Sequence, residues 1–361
     1  MAELLAAFEL SGDLVELELF KKGHIHDTWI STWSTSGGAR RYIHQMMNQY
    51  VFRDIPTLMA NIVAVTEHLQ QKIAQGETRP DYRALELVPT RDGRAYLNFN
   101  QEAWRTYVYI EGTLSHDVCP SHDEAYKAAS AFGEFQRLVL DLPLEKMSIT
   151  ISGYDDTPWR YEVLQEAMLS AEPKRLERAA EEIAFARKHI GFAPLLIDLL
   201  RSGAVPQRIA HYDTKLNNIL FDRDSGSPVC VVDLDTCMAG ASIYDFGDLV
   251  RNTGVAAAED EKDLEKISYD LSLFEALCHG YLEQANGFLT AREIDVLHKV
   301  PVLNALNLGV RFLNDYLEGD PYFKTAHEHH NWQRARAQFQ IVRLMQQVED
   351  EMRGVVQRHV S

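Results

Sequence analysis

His211-Tyr212-Asp213-Thr214-Lys215-Leu216-Asn217-Asn218, followed by Val231-Val232-Asp233-Leu234-Asp235, is the stretch on which the reading of this chain turns. Asn218–Phe221 and Val229–Leu234 are rich in β-formers and flank Asp224-Ser225-Gly226-Ser227-Pro228, so a short hairpin is expected between the two acidic segments. This strand island sits among helical patterns: Ser121–Leu140, Thr157–Ala171, Leu176–Ile190, Glu259–Asn286, Thr290–Leu317 and Trp332–Val356. Upstream the texture is different. Leu14–Leu19, Thr28–Trp33 and Arg41–Met47 read as strands, with a Ser36-Gly37-Gly38 turn before the third. A helix over Pro56–Ala74 places Leu58, Ile62, Val65 and Leu69 on one face, and strands resume at Ala84–Pro89, Ala95–Asn100 and Trp104–Ile110. The expected class is α+β, with a sheet-rich unit over residues 1–110 and a larger, mostly helical unit over residues 111–361.

Composition narrows the partners. The 361 residues carry 36 Lys and Arg against 53 Asp and Glu, a formal net charge of −17. That balance argues against nucleic acid and anionic membrane, both of which need clustered basic charge. Cys119, Cys230, Cys237 and Cys278 form no C-x-x-C pair and read as reduced thiols, which fits a cytoplasmic protein. No apolar run reaches the ~18 residues of a membrane span, and no basic stretch precedes the first apolar residues as in a signal peptide. A monomer is expected.

The first acidic segment has the form H-x-D-x-x-x-x-N, the pattern of a phosphoryl-transfer loop. Such chemistry needs a carboxylate to orient the acceptor hydroxyl and take its proton, here Asp213. It also needs hard oxygen ligands for Mg²⁺, here Asn218 and, one hairpin later, Asp233. Lys215, two residues beyond Asp213, is placed to neutralise developing charge. Asp245-Phe246-Gly247 reads as a second metal motif but lies 32 residues after Asp213, too far for one hairpin. Asp245 and Asp248 are therefore expected to brace the loop from a neighbouring helix. Asp235 reads either as a second metal-side group or as a loop-bracing carboxylate.

These motifs and their order resemble the aminoglycoside phosphotransferase and choline kinase superfamily, whose fold is the two-lobed protein-kinase-like one. Gly23-His24-Ile25, Tyr42 to Asn48, Asp156-Thr157-Pro158, His211–Leu220, Val232–Thr236 and Arg311–Phe323 resemble the N-acetylhexosamine 1-kinases more closely still. The resemblance implies ATP as phosphoryl donor, Mg²⁺ as cofactor and a small-molecule sugar as acceptor. It implies a nucleotide-covering loop at Gly23 and a hinge at Tyr109-Ile110-Glu111 whose backbone pairs with the base. The third strand carries Gln45 where most members of the fold place a phosphate-binding lysine. The usual glutamate partner falls near Asn61, so an amide pair is expected in place of an ion pair.

Arg311 and Asp315 are i and i+4 and share one helix face, which fits a surface ion pair. The resemblance adds a second reading, in which Arg311, Asp315 and Tyr322, with His24 and Thr236, bind the sugar. Phosphorylation of the anomeric hydroxyl of an N-acetylhexosamine is the expected function. The alternatives are a kinase of the same fold acting on choline, an aminoglycoside or another hydroxylated metabolite, and a catalytically weak nucleotide- or sugar-binding protein.

Overall fold

The computed structural model describes residues 1–20 and 25–360. Lys21, Lys22, Gly23 and His24 lie outside the described residues. The chain forms two compact units. The first comprises Met1–Ser115, Leu138–Ile151 and Leu220–Met238, and the second His116–Arg137, Ser152–Ile219 and Ala239–Ser361.

The first unit is built on an antiparallel sheet. Strands β1 (Asp13–Phe20), β2 (Asp27–Thr35), β3 (Gly38–Met46), β4 (Leu97–Phe99) and β5 (Glu102–Val108) lie in the order β1-β2-β3-β5-β4. Edge strand β1 is exposed along most of its length and carries Glu16 and Glu18, charges that discourage edge-to-edge pairing. Tyr42, Val88 and Trp104 close over Leu4, Leu5 and Phe8 of the N-terminal segment to make one core. The Ile55–Ala74 helix starts where Asp54 accepts the Thr57 amide and Pro56 pre-sets the first turn. It buries Leu58, Ile62, Val65 and Leu69, the face the spacing predicts. The Ala84–Pro89 segment differs from its expected strand. It makes a single bridge, Leu87 to Tyr107, because Pro89 has no amide to offer and its carbonyl turns away to Glu9. A second sheet joins β6 (Thr113–Leu114), β8 (Ile219–Asp222) and β9 (Pro228–Val231).

The second unit is mostly helical, with one small sheet pairing β7 (Arg208–Ala210) and β10 (Met238–Gly240). Several long helical patterns are broken in the fold. Glu259–Asn286 makes a 3-10 turn at Leu264–Lys266 and becomes α-helical only at Leu271, where the Asp270 carboxylate accepts the amides of Ser272 and Leu273. Thr290–Leu317 divides into Ala291–Val296 and Val300–Glu318, the latter with Pro301 in its first turn. Val348, at φ −117° and ψ 21°, separates His330–Gln347 from Glu349–His359. Hydrophobic period survives such breaks, so the pattern alone does not show them. Among the described residues no helix is long and apolar enough to cross a membrane.

One titratable group is sealed in the large sheet. His44 on β3 is fully buried between the Ser31 hydroxyl at 2.7 Å and the Thr106 hydroxyl at 2.9 Å, and burial lowers it to about 4. The unfolded chain takes up this proton near the ordinary histidine value while the folded chain refuses it. The stability is therefore complete above about pH 6.5 and is lost as pH falls toward 4. The contribution lost between pH 7.5 and 5 is expected to be about 2 kcal/mol. Urea unfolding at the two pH values checks it, and His44→Gln should flatten the difference.

Candidate active site

The loop from His211 to Asn218 follows β7 and is held from behind by the Ile243–Thr253 helix. Asp245, fully buried on that helix, accepts the His211 amide through one oxygen and the Tyr212 amide through the other, each at 2.8 Å. The Gln136 side chain donates to the same carboxylate at 2.8 Å. Burial pushes Asp245 up to about 6, against the pull of His211 and these hydrogen bonds. Asp248 accepts the Thr214 amide at 3.0 Å and is itself gripped by Arg251. Both carboxylates thus brace the loop, as their place after the hairpin suggests. His211 is wedged edge-on between Phe132 and Phe135.

Tyr212 stands at φ +65°, a left-handed conformation that costs a non-glycine residue about 1–3 kcal/mol unless its surroundings hold it. Its hydroxyl donates to Asp155 at 2.7 Å, and its carbonyl accepts the Tyr154 hydroxyl at 2.9 Å. Gly240 is required opposite: a Cβ there would stand 1.7 Å from the Tyr212 hydroxyl. The turn so made presents Asp213. Lys215 Nζ meets Asp213 Oδ2 at 2.8 Å, and Asn218 Nδ2 donates to the same oxygen at 2.9 Å and to the Asp213 carbonyl at 2.8 Å. Asp213 Oδ1 has no hydrogen-bond partner among the described residues.

Asp233 belongs to the first unit. It too is left-handed, at φ +61°, and heads a 3-10 turn over Leu234–Thr236. Asp235 in that turn is buried and paired with Arg105 of β5, whose Nη1 and Nη2 each meet one carboxylate oxygen, the second at 2.8 Å. The His26 ring donates to Asp235 through Nε2 and accepts the Asn48 amide through Nδ1, which assigns its tautomer. Burial by itself would raise the Asp235 carboxyl. The Arg105 charge and these hydrogen bonds overcome it and hold Asp235 far below the usual carboxylate range. Of its two sequence readings, Asp235 takes the bracing one.

Gln45 accepts from Arg105 Nε at 2.9 Å across the β3–β5 register. The expected amide pair with Asn61 does not form. Asn61 exchanges hydrogen bonds with the Ser148 backbone at 2.8 and 2.9 Å and donates to the Cys237 carbonyl at 3.0 Å. Arg105 was not singled out from the sequence, although its signal is there: one charge in the apolar strand Trp104–Ile110. At Tyr109-Ile110-Glu111, the Arg41 guanidinium lies 3.9 Å from the Tyr109 ring centre and pairs with Glu111, and Arg83 donates to the Glu111 carbonyl at 2.7 Å. Thr236 closes the 3-10 turn after Asp233.

In the second unit, Arg311 and Asp315 do not pair. Asp315 is buried and accepts the amides of Tyr322 at 2.7 Å and Phe323 at 3.0 Å, with the Asn331 side chain at 2.8 Å. Its oxygens hold the turn that follows the Val300–Glu318 helix and so position Tyr322. Arg311 lies over the rings of Tyr154 at 5.0 Å and Phe323 at 5.6 Å. Tyr322 is exposed, edge-on to Phe323. Among the described residues no group of three or more His, Cys, Asp and Glu is assembled to hold a metal.

Two substitutions test this framework. Asp245→Asn keeps the shape but loses an acceptor for the loop amides, and should cost about 1–3 kcal/mol. Hydrogen exchange at His211 and Tyr212 should quicken in that variant. Arg105→Gln leaves a buried carboxylate without its cation and should cost about 3–5 kcal/mol, most of it recovered in an Arg105→Met, Asp235→Leu double variant. Urea denaturation of the three variants measures both.

The comparisons with known proteins agree with this framework. An aminoglycoside phosphotransferase from Alicyclobacillus acidocaldarius superposes with a TM-score of 0.62 at 12% identity, over 99% of this chain and 96% of that one. A spectinomycin phosphotransferase solved with ADP and spectinomycin gives 0.60 at 10% identity, over 96% and 97%. A microcompartment-associated aminopropanol kinase gives 0.56 at 16% identity, over 97% of each chain. At these identities the likeness is one of fold, and the fold is the protein-kinase-like one. The sequence itself matches the phosphotransferase enzyme family over residues 16–286, and the chain belongs to that family.

Proposed function

We infer that this phosphotransferase moves the terminal phosphoryl group of ATP to the anomeric hydroxyl of an N-acetylhexosamine, giving the sugar 1-phosphate. The observation that carries the transfer is the one-sided engagement of Asp213. Lys215 and Asn218 both meet Oδ2, which leaves Oδ1 to accept the proton of an incoming hydroxyl. Lys215, anchored at 2.8 Å to that carboxylate, is in reach of the charge that spreads over the transferring group.

Asn218 and Asp233 offer only oxygen donors, an amide carbonyl and a carboxylate, which suits a hard cation that retains water and phosphate ligands. The amide nitrogen of Asn218 is committed to Asp213, so its oxygen faces the other way. Asn218 immediately precedes the β8–β9 hairpin and Asp233 follows it by two residues, so the hairpin links the two in the chain. These two residues would hold Mg²⁺, which when bound neutralises phosphate charge. Asp235, Arg105 and His26 fix the turn that Asp233 heads, and Gln45 is held by Arg105 on the same sheet. Transfer is direct, without a covalent enzyme intermediate, and depends mostly on positioning and charge. The sugar rests on the stretches that resemble N-acetylhexosamine 1-kinases, with Arg311, Tyr322 and Thr236 as its proposed contacts. Asp315 acts through the Tyr322 turn. Gly23 and His24 are proposed contacts outside the described residues, and the Tyr109–Glu111 backbone is assigned to the nucleotide base.

Asp213→Asn should lower turnover by about 10²–10⁴-fold while ATP binding, measured by calorimetry, stays within a few-fold. Phosphorus NMR over a panel of sugars and amino alcohols should show a sugar 1-phosphate. A phosphomonoester of an amino alcohol alone would replace the sugar by an amine acceptor, and full turnover in the Asp213 variant would remove that residue from the reaction.

A further inference from the structure

Two neighbouring arginines of the second unit have no acid to balance them among the described residues. Arg160 lies on the Thr157–Ser170 helix and Arg311 on the Val300–Glu318 helix. Asn314, three residues beyond Arg311, donates to the Arg160 carbonyl at 3.0 Å and ties the two helices together. Neither guanidinium forms a salt bridge among the described residues. Asp315, one helical turn from Arg311 and the natural candidate, gives its oxygens to the Tyr322 and Phe323 amides and to Asn331. Arg160 lies over the Trp159 ring at 4.5 Å, and its Nε is buried with no hydrogen-bond partner. Arg311 lies over the Tyr154 and Phe323 rings.

The two charges feel each other. Burial, with the neighbouring Arg311, lowers Arg160 to about 10, so both remain cationic at neutral pH. Juxtaposed, half-buried cations with unspent donors are unfavourable in the empty protein, and they become favourable when an oxygen-rich group accepts from both. The place is next to the chemistry: Tyr154, under Arg311, donates its hydroxyl to the carbonyl of Tyr212, the residue before Asp213.

The geometry points to Arg160 and Arg311 as a paired guanidinium subsite that takes an oxygen-acceptor substituent of the sugar, an acyl carbonyl or a carboxylate, and repels acceptors bearing an ammonium group. This rests on the reading of Asp213 as the acceptor-side carboxylate, and it adds Arg160 and a charge criterion for the substrate. A guanidinium supplies N–H donors and no acceptor, so it satisfies a carbonyl or carboxylate and cannot satisfy an ammonium. Tyr154, Phe323 and Trp159 supply the apolar ring faces on which the guanidinium planes lie.

Three acceptors that differ in one substituent test it: N-acetylglucosamine, glucosamine and glucuronate. The wild type should prefer the acylated sugar to the ammonium sugar by more than about tenfold in kcat/KM, as like-charge exclusion predicts. Arg160→Gln should raise KM for the acylated sugar and shrink that preference. Arg160→Lys, which keeps the charge, should keep the exclusion of glucosamine. Glucuronate separates the two sources of the accepting oxygen: tighter binding than N-acetylglucosamine assigns a carboxylate, weaker binding the acyl carbonyl. Binding is read independently of turnover through Trp159 fluorescence, with Trp159→Phe as the spectroscopic control. If Asp213 were not the acceptor-side group, turnover would persist in its variant while the fluorescence titration still decided the subsite. Equal responses to glucosamine and N-acetylglucosamine, or a preference unchanged in a folded Arg160→Gln protein, would overturn the proposal.

Discussion

The grip of one buried carboxylate on two consecutive backbone amides underlies the candidate site. Asp245 receives the amides of His211 and Tyr212, and a carboxylate is suited to this because it has two acceptor oxygens and no donor. With both amides held, Tyr212 can occupy a left-handed conformation that would otherwise be costly, and the next residue, Asp213, is turned outward. The remaining contacts follow from that turn: the Tyr212 hydroxyl on Asp155, the bare face of Gly240 that admits it, and Lys215 and Asn218 closing on one oxygen of Asp213. The strained backbone before Asp213 persists because the surrounding hydrogen bonds over-determine it.

The first unit repeats the device with different chemistry. Asp233 is also left-handed, and the turn behind it is pinned through Asp235 by a buried arginine and a histidine of fixed tautomer. Charge is used sparingly inside this protein. Arg105 is neutralised by Asp235, Arg251 by Asp248 and Arg208 by Glu293, each arginine with its own acid. Arg160 and Arg311 are neighbours with no such acid among the described residues. Against a net charge of −17, an arginine pair lacking acids is a local reversal of the global field.

The candidate loop was legible in the sequence because its motif is local. Asp213, Lys215 and Asn218 lie within six residues, and the hairpin that follows has its own turn signal. The role of Asp245 and Asp248 could be argued from spacing, since 32 residues is too long for one hairpin. Other features were not legible. The Gln45–Asn61 pair was inferred from a family pattern of ion pairs, yet an amide has equal use for backbone partners, and Asn61 found Ser148 and Cys237. The Arg311–Asp315 spacing permitted an ion pair, but the amides of the following turn offered Asp315 two fixed donors.

Sequence alone thus determined the α+β class, the helix faces and the position of the candidate loop, because periodicity and short motifs are properties of neighbouring residues. Tertiary structure decided which charges are satisfied. Arg105 and Asp235 are 130 residues apart, Asp245 and His211 are 34 apart, and Arg160 reaches the Arg311 helix through Asn314 across 154. A residue's partner at such separations is set by packing, and no local pattern encodes it. The proposed distinction between an acyl and an ammonium acceptor rests on that level, on two guanidinium groups that the fold brings together without an acid.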